Sequence, residues 1–339
     1  MGVREGTDAM KKTLGALVLV AVAVAAVATL IACGGGSPKV ALVAYSTPRE
    51  AYAELIPAFQ KTAAGANVEF SESYGSSGEQ SRAVEAGLPA DVVGFSLAPD
   101  MARLVEAGLV DKTWSQNQYD GFVTKSVVVL VVRKGNPKGI KTWADLTKPD
   151  VEVIEPNPFT SGGARWNIMA AYGAQLQQGK TTQEAEAYLA ELFKHVPVQD
   201  KSAREALQTF IGGKGDVLLS YENEAIAAQQ AGEAVDYVVP AETILIENPL
   251  AVTVDASSSK QAQAFYDYLY TPEAQAIFVS KGYRPVVDGV TGADKFPTPT
   301  KLFTIDDLGG WDTVNKDFFD PDGSVMVTIE QGLGISTQQ

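Results

Sequence analysis

Two hydrophobic rhythms alternate along this chain. Short runs of period two, or of unbroken aliphatics, stand between longer stretches in which apolar residues return every three or four positions. Val40 to Tyr45 reads as a short buried strand, Val68-Glu69-Phe70-Ser71 alternates, and Ala90–Phe95 is a third strand. Val127–Val132 is nearly all valine, as in a central strand covered on both faces. Val151–Ile154, Val217–Ser220, Tyr237–Val239 and Leu250–Val254 complete the strands, the last able to return the chain to where it began. Helices fall between them. One starts at Thr47-Pro48-Arg49-Glu50, with Thr47 as N-cap and Glu50 closing a capping box, and buries Tyr52, Leu55, Ile56 and Phe59; Pro57 should kink it or end it early. Others run from Ser76-Ser77 through Ala86, Met101–Ala107, Thr181–Lys194, from Ser202, Ala262–Leu269 and Pro272–Ser280, and Trp143–Leu146 reads as a helical turn on the surface.

Strands and helices alternating in this way predict α/β layers with mainly parallel sheets, whose ligands sit at the turns beyond the strand carboxyl ends. Four such turns carry Ser or Thr at a helix start, at 46–47, 76–77, 160–161 and 202. Residues of this kind cap helices in any protein, so the structural reading stands beside the functional one. The stretch Asn157–Asn167 is the most informative. Ser161 sits at an N-cap position, Gly162 and Gly163 fill the first turn, and Trp166, Met169, Ala170, Gly173 and Leu176 follow on one face. Glycine weakens a helix, so a pair there needs a reason. One is that an anion sits directly on the unpaired N–H groups at the positive end of the helix; the other is a plain loop-to-helix junction.

Composition changes the picture at the N-terminus. Lys11 and Lys12 precede an apolar run from Leu14 to Ile31, and Leu30-Ile31-Ala32-Cys33 leads into Gly34-Gly35-Gly36-Ser37-Pro38. The run approaches a spanning length, but a basic start, an apolar middle and small residues at the end fit a secretory signal better. The Leu-x-Ala-Cys ending resembles a bacterial lipobox, which implies cleavage before Cys33 and lipidation of its sulfur. Residues 1–33 are expected to be that signal, residues 34–39 a flexible linker, and the mature protein a lipid-anchored one on the outer face of the cytoplasmic membrane or in the periplasm. Cys33 is the only cysteine among 339 residues, so no disulfide supports the remainder. The formal charge is −14, and residues 1–33 are one unit positive, so residues 34–339 are more acidic still. That surface argues against nucleic acid as a partner.

Further motifs then align in order. Arg133-Lys134-Gly135-Asn136-Pro137-Lys138, Ser161-Gly162-Gly163-Ala164-Arg165-Trp166-Asn167, Gly215-Asp216-Val217-Leu218, Glu222-Asn223-Glu224-Ala225, Tyr283-Arg284-Pro285 and Lys301-Leu302-Phe303-Thr304-Ile305-Asp306 make the chain similar, from about residue 40 to 320, to the bacterial sulfate/thiosulfate-binding proteins of ABC importers. The resemblance implies a two-lobe periplasmic-binding-protein fold with a hinge, lobe 1 from 40–132 plus 243–300, lobe 2 from 133–242, and a tail, 301–339, packing on a lobe. It implies a monomer that closes on sulfate or thiosulfate and is recognised by a transporter permease, with no cofactor and no metal. By position it implies ligand contacts from Ser46, Ser77, Ser161, Gly162, Gly163 and Ala203, mainly through backbone N–H groups and serine hydroxyls. Tyr221 stands where better-known members have tryptophan; a phenol donates one bond but also accepts, which puts that contact in question, and a cleft-wall aromatic is the alternative.

Other residues carry readings of their own. Arg49, Arg165 and Arg204, each placed after a donor segment, are expected in salt bridges on the cleft rim. His195, the single histidine, is expected at the surface, and Asp320-Pro321-Asp322-Gly323-Ser324 as a turn rather than a calcium loop. Glu222 and Glu224 suit a conformational or transporter-docking role better than paired catalytic carboxylates. An exported serine hydrolase is the rival from another class, but no Gly-x-Ser-x-Gly elbow, P-loop or His/Cys metal cluster occurs. Binding proteins for molybdate, phosphate or an organic anion, and a surface sensor of the same fold, are the nearer rivals. A site made only of donors favours a fully deprotonated dianion, since protonated phosphate brings an O–H with nowhere to donate.

Overall fold

The valine-rich segment is the strand through which the whole sheet is joined. In a computed structural model that describes residues 38–256 and 259–335, Phe122–Arg133 forms one twelve-residue strand, β4, after β1 (Lys39–Tyr45), β2 (Glu69–Gly75) and β3 (Val92–Gly94). It is followed by β5 (Val153–Ile154), β6 (Val217–Tyr221), β7 (Val235–Val238), β8 (Glu242–Val252), β9 (Arg284–Pro285) and β10 (Lys301–Phe303). The strands make one ten-stranded sheet with the order β2-β1-β3-β8-β4-β6-β5; β10 adds to β8, and β7 and β9 to β4. The first half of β4 pairs with β8 as far as Val127↔Leu245, and the second half pairs with β6 from Val128↔Tyr221. β8 in turn continues onto β3 through Leu250↔Gly94. Two long antiparallel strands therefore cross between a β1-β2-β3 region and a β5-β6 region. The pairs β1–β2, β1–β3, β5–β6 and β8–β10 are parallel, and every antiparallel pair of named strands involves β4 or β8.

Burial on both faces explains why β4 carries no polar side from Val127 to Val132. Val128, Leu130 and Val132 face a core that holds Trp166, Met169 and Leu189, while Val127, Val129 and Val131 face Phe210, Leu218 and Ala225. The helices are α1 (Arg49–Gln60), α2 (Ser77–Glu85), α3 (Ala98–Glu106), α4 (Gly162–Gln177), α5 (Thr182–Phe193), α6 (Ala203–Ile211), α7 (Glu222–Gln230), α8 (Lys260–Leu269), α9 (Pro272–Ser280), α10 (Gly310–Val314) and α11 (Val325–Gly332). On β1, Val40, Leu42 and Ala44 meet Tyr52 and Phe59 of α1 and Phe265 of α8, and Val43 on the opposite face meets Met101 and Leu104 of α3.

Local details depart from expectation in four places. Helix α1 is capped at Pro48 rather than Thr47, with no side-chain cap, because Glu50 reaches out to Arg204 instead of back to the chain. It also continues past Pro57 to Gln60, since Pro57 and the Ala53 residue whose carbonyl it leaves unpaired both lie on the solvent face. Trp143 is not at the surface: it is fully buried, and its indole N–H donates to the Glu242 carbonyl at 2.8 Å. Helix α4 is buried almost all round, not on one face. The tail packs against this helix, with Phe303, Val314, Phe318 and Met326 joining the Trp166 core. Asp320–Ser324 is a turn whose Ser324 caps α11. The expected signal, Cys33 and the linker as far as Ser37 lie outside the described residues.

Candidate functional site

All seven candidate ligand residues line a single cavity. Ser46 and Ser77 come from the turns after β1 and β2, Ser161, Gly162 and Gly163 from the start of α4, Ala203 from the start of α6, and Tyr221 from the end of β6. Tyr45, Thr47, Gly75, Ser76, Ser96 and Ser202 complete the lining, so none of the thirteen residues carries a charged side chain. The walls stand close, with a cavity volume of about 10 Å³.

Three helices point their N-termini at this cavity, α2, α4 and α6. Among the described residues no protein partner accepts from the amides of Ser77, Gly162, Gly163 or Ala203, as expected for first-turn N–H groups. At α4 and α6 the amides three residues past the cap are satisfied locally: Ser161 Oγ accepts from Ala164 N at 3.3 Å and Ser202 Oγ from Glu205 N at 3.2 Å. Both hydroxyls keep their protons for another acceptor. Helix dipoles add a partial positive charge at each of these ends.

Two of the seven differ in what they offer. The Ser46 amide donates to the Gly75 carbonyl at 2.9 Å, so its N–H already has a protein partner. The Ser77 hydroxyl donates to Asp100 Oδ2 at 2.6 Å and accepts from Ser96 N at 2.9 Å, which leaves its amide as the donor. Burial raises the Asp100 carboxyl above its ordinary range, and the Ser77 bond and the nearby Arg165 charge act against that.

Ser96 is not among the seven, yet it proves central. Its Oγ lies 2.6 Å from the Tyr221 hydroxyl, and its carbonyl accepts from Trp166 Nε1 at 2.9 Å and Asn248 Nδ2 at 3.3 Å. A signal for it exists in the sequence, because Ser96 comes directly after a strand and so occupies a βα turn. Apolar periodicity starts the next helix only at Met101, which draws attention past it. Burial raises the Tyr221 phenol, so it remains a neutral hydroxyl.

The glycine pair has a reason other than anion approach alone. A Cβ on Gly162 would lie 2.7 Å from Ser96 Oγ and 3.0 Å from Leu97 Cγ, and one on Gly163 3.0 Å from Ala203 Cβ. Hydrogen at these positions lets the two walls close on each other.

The arginines divide. Arg204 makes salt bridges to Glu50 at 2.7 Å and Glu224 at 2.9 Å, as expected. Arg165 does not: its Nε and Nη1 bond to the Pro158 carbonyl and Asn315, and its guanidinium lies over Phe319. Arg49 lies over the Tyr74 ring. Glu222, paired with Arg284 at 2.8 Å, and Glu224 are both fully buried, which removes a direct docking contact through their carboxylates. His195 is mostly buried against the Val151 carbonyl, a second departure from a surface role. A larger neighbouring cavity of about 260 Å³ shares Ser161 and Gly162, but its Arg82, Arg103 and Arg165 are matched by Asp100, Glu106 and Asp312. Among the described residues no group of three or more His, Cys, Asp or Glu side chains is placed to hold a metal ion.

A ten-stranded sheet crossed by two long strands, with helix N-termini meeting at an uncharged cavity, defines a substrate-binding protein of the periplasmic type. The chain belongs to the bacterial extracellular solute-binding protein family, whose model matches residues 40–284, and that family is one of exported proteins. It is 44% identical over 336 residues to a sulfate-binding protein of Synechococcus elongatus, covering 92% of this chain and 95% of that one. It is 37% identical to a thiosulfate-binding protein of Pseudomonas aeruginosa, covering 89% and 97%. The solved structure of the sulfate-binding protein SubI from Mycobacterium tuberculosis superposes with a TM-score of 0.80 at 46% identity, covering 84% of this chain and 100% of that one.

Proposed function

We propose that this protein captures sulfate, or thiosulfate, outside the cell and delivers it to an ABC importer. The observation that carries the reading is a donor-rich, uncharged wall: unpartnered amides at three helix N-termini, with serine hydroxyls and no charged side chain among the lining residues. Taking a dianion out of water is costly, and several charge-assisted N–H bonds at helix ends offset that cost without a cation. Such a wall also selects by protonation. A hydrogen phosphate ion brings a proton to a site rich in donors, and a buried donor left unpaired costs about 1–3 kcal/mol.

An ion the size of sulfate needs the walls to part before it enters. The crossing of β4 and β8 is the natural hinge, with residues 40–132 and 243–300 as lobe 1, residues 133–242 as lobe 2, and the 301–339 tail carried on the second. The chain acts as a monomer, tethered through lipid on Cys33, and its closed form meets the permease. It is a binder, not an enzyme. Isothermal titration of the purified protein with sulfate, thiosulfate, molybdate and phosphate at neutral pH tests the site. Tight sulfate or thiosulfate binding with phosphate unable to compete is expected, and effective competition by phosphate at equal concentration would refute the protonation argument. Intact mass of the membrane-extracted protein tests the anchor, which fails if Cys33 carries no lipid.

A further inference from the structure

We infer that Ser96, and not Tyr221, donates a hydroxyl hydrogen bond to the bound oxyanion, with Tyr221 standing behind it as a positioning residue. This rests on the anion-binding reading above and deepens it by naming the donor that replaces the tryptophan of better-known relatives.

The backbone of Ser96 is held at both ends. Its N–H donates to Ser77 Oγ at 2.9 Å, and its carbonyl accepts from Trp166 and Asn248. Only the hydroxyl is free to choose a partner. Its oxygen is 2.6 Å from the Tyr221 oxygen, and a hydrogen bond between two hydroxyls uses one of their two protons. Either hydroxyl can give the shared proton; we assign it to Tyr221, intrinsically the more acidic type of hydroxyl, which leaves the serine proton for another acceptor. Accepting from the phenol also polarises Ser96 O–H and strengthens it as a donor.

Position agrees with this direction. Ser96 Oγ lies against Gly162, 2.7 Å from where a Cβ would be, beside an amide with no protein partner. Meanwhile the nearby Ser77 proton is committed to Asp100. Ser96 therefore supplies a donor on the side of the cavity where the serine expected to give one cannot.

The test is a double-mutant cycle on the full protein, reading sulfate Kd by calorimetry and the unfolding midpoint without sulfate. Ser96→Ala keeps every backbone bond and is expected to weaken sulfate binding about tenfold, while Tyr221→Phe weakens it by about threefold or less. In the double variant the loss should stay close to that of Ser96→Ala alone, because the phenol acts only through the serine. A larger loss from Tyr221→Phe than from Ser96→Ala overturns the assignment, as do losses that multiply. Should Ser96→Ala lower the midpoint, Ser96→Cys, near in size with a weak S–H donor, repeats the comparison with the same expected order. If the folded wild-type protein binds neither sulfate nor thiosulfate, the site reading itself falls and this assignment with it.

Discussion

Gly162 and Ser96 touch across the cavity so closely that the glycine has no room for a side chain: a Cβ would sit 2.7 Å from Ser96 Oγ and 2.8 Å from its Cβ. Alanine would gain up to about 1 kcal/mol of helix propensity, but overpacking a tight contact costs about 1–3 kcal/mol. Ser96 cannot retreat easily, because its backbone is bonded on both sides. Gly162→Ala is therefore expected to lower stability by about 1 kcal/mol and weaken sulfate binding more than tenfold. Urea unfolding and calorimetry check it; wild-type affinity would mean the walls need not meet here.

Arg204 joins three groups, and the two carboxylates are unequal. Glu50 is about half exposed at its side chain (47%), whereas Glu224 is almost wholly enclosed (1%). Removing the arginine strands a buried carboxylate; removing Glu50 does not. Measured above about pH 8, where Glu224 is ionised in the folded protein, Arg204→Ala should cost about 3 kcal/mol of unfolding free energy and Glu50→Ala less than about 1 kcal/mol. Equal losses in chemical denaturation would show that Glu224 is not held as a charge.

How much of this is visible in the chain depends on the range of the cause. Period-two valines on β4 and the Ser-Gly-Gly start of α4 are local signals, and both are legible. The seven cavity residues are gathered by the ordered motifs of a resemblance, since nothing local ties Ala203 to Ser77. What escapes is set by distant partners. The Ser46 amide is consumed by Gly75 on the neighbouring strand, Ser77 by Asp100, and Trp143 is drawn inside by the Glu242 carbonyl. Ser96 stays hidden because its importance lies in four contacts, none within ten residues of it.

Gly173 marks where the tail is seated. A Cβ there would fall 2.5 Å from Phe303 Cζ, and Phe303 is buried in the Trp166 core. Truncating a buried phenylalanine costs about 3–5 kcal/mol, so Phe303→Ala should cut stability by that order. Its sulfate affinity should change little, because Phe303 does not line the cavity. A denaturation midpoint equal to wild type would mean the tail contributes no packing energy.

Five buried carboxyls set the pH dependence above about pH 5, and their sign is common to all. Burial raises Glu155, Glu222 and Asp100 above their ordinary values, pushes Glu224 up to about 7 against the pull of Arg204, and pushes Glu330 up to about 6 against its Gln199 bond. A carboxyl whose folded value exceeds its unfolded one binds its proton more tightly when folded. The stability it contributes is fully present below the unfolded value, near 4.5, and is lost as pH rises through the folded value. Unfolding free energy should therefore fall between about pH 5 and 7, by on the order of 1 kcal/mol per unit for each group titrating in that window. Glu330 offers the cleanest dissection, since glutamine keeps the shape and the Gln199 neighbour while removing the proton. Glu330→Gln should flatten the pH 5–6 part of the profile and leave the part near pH 7, where Glu224 titrates, in place. A wild-type profile that rises across this range, or a variant profile parallel to it, would place these carboxyls in a wetter setting than their packing indicates.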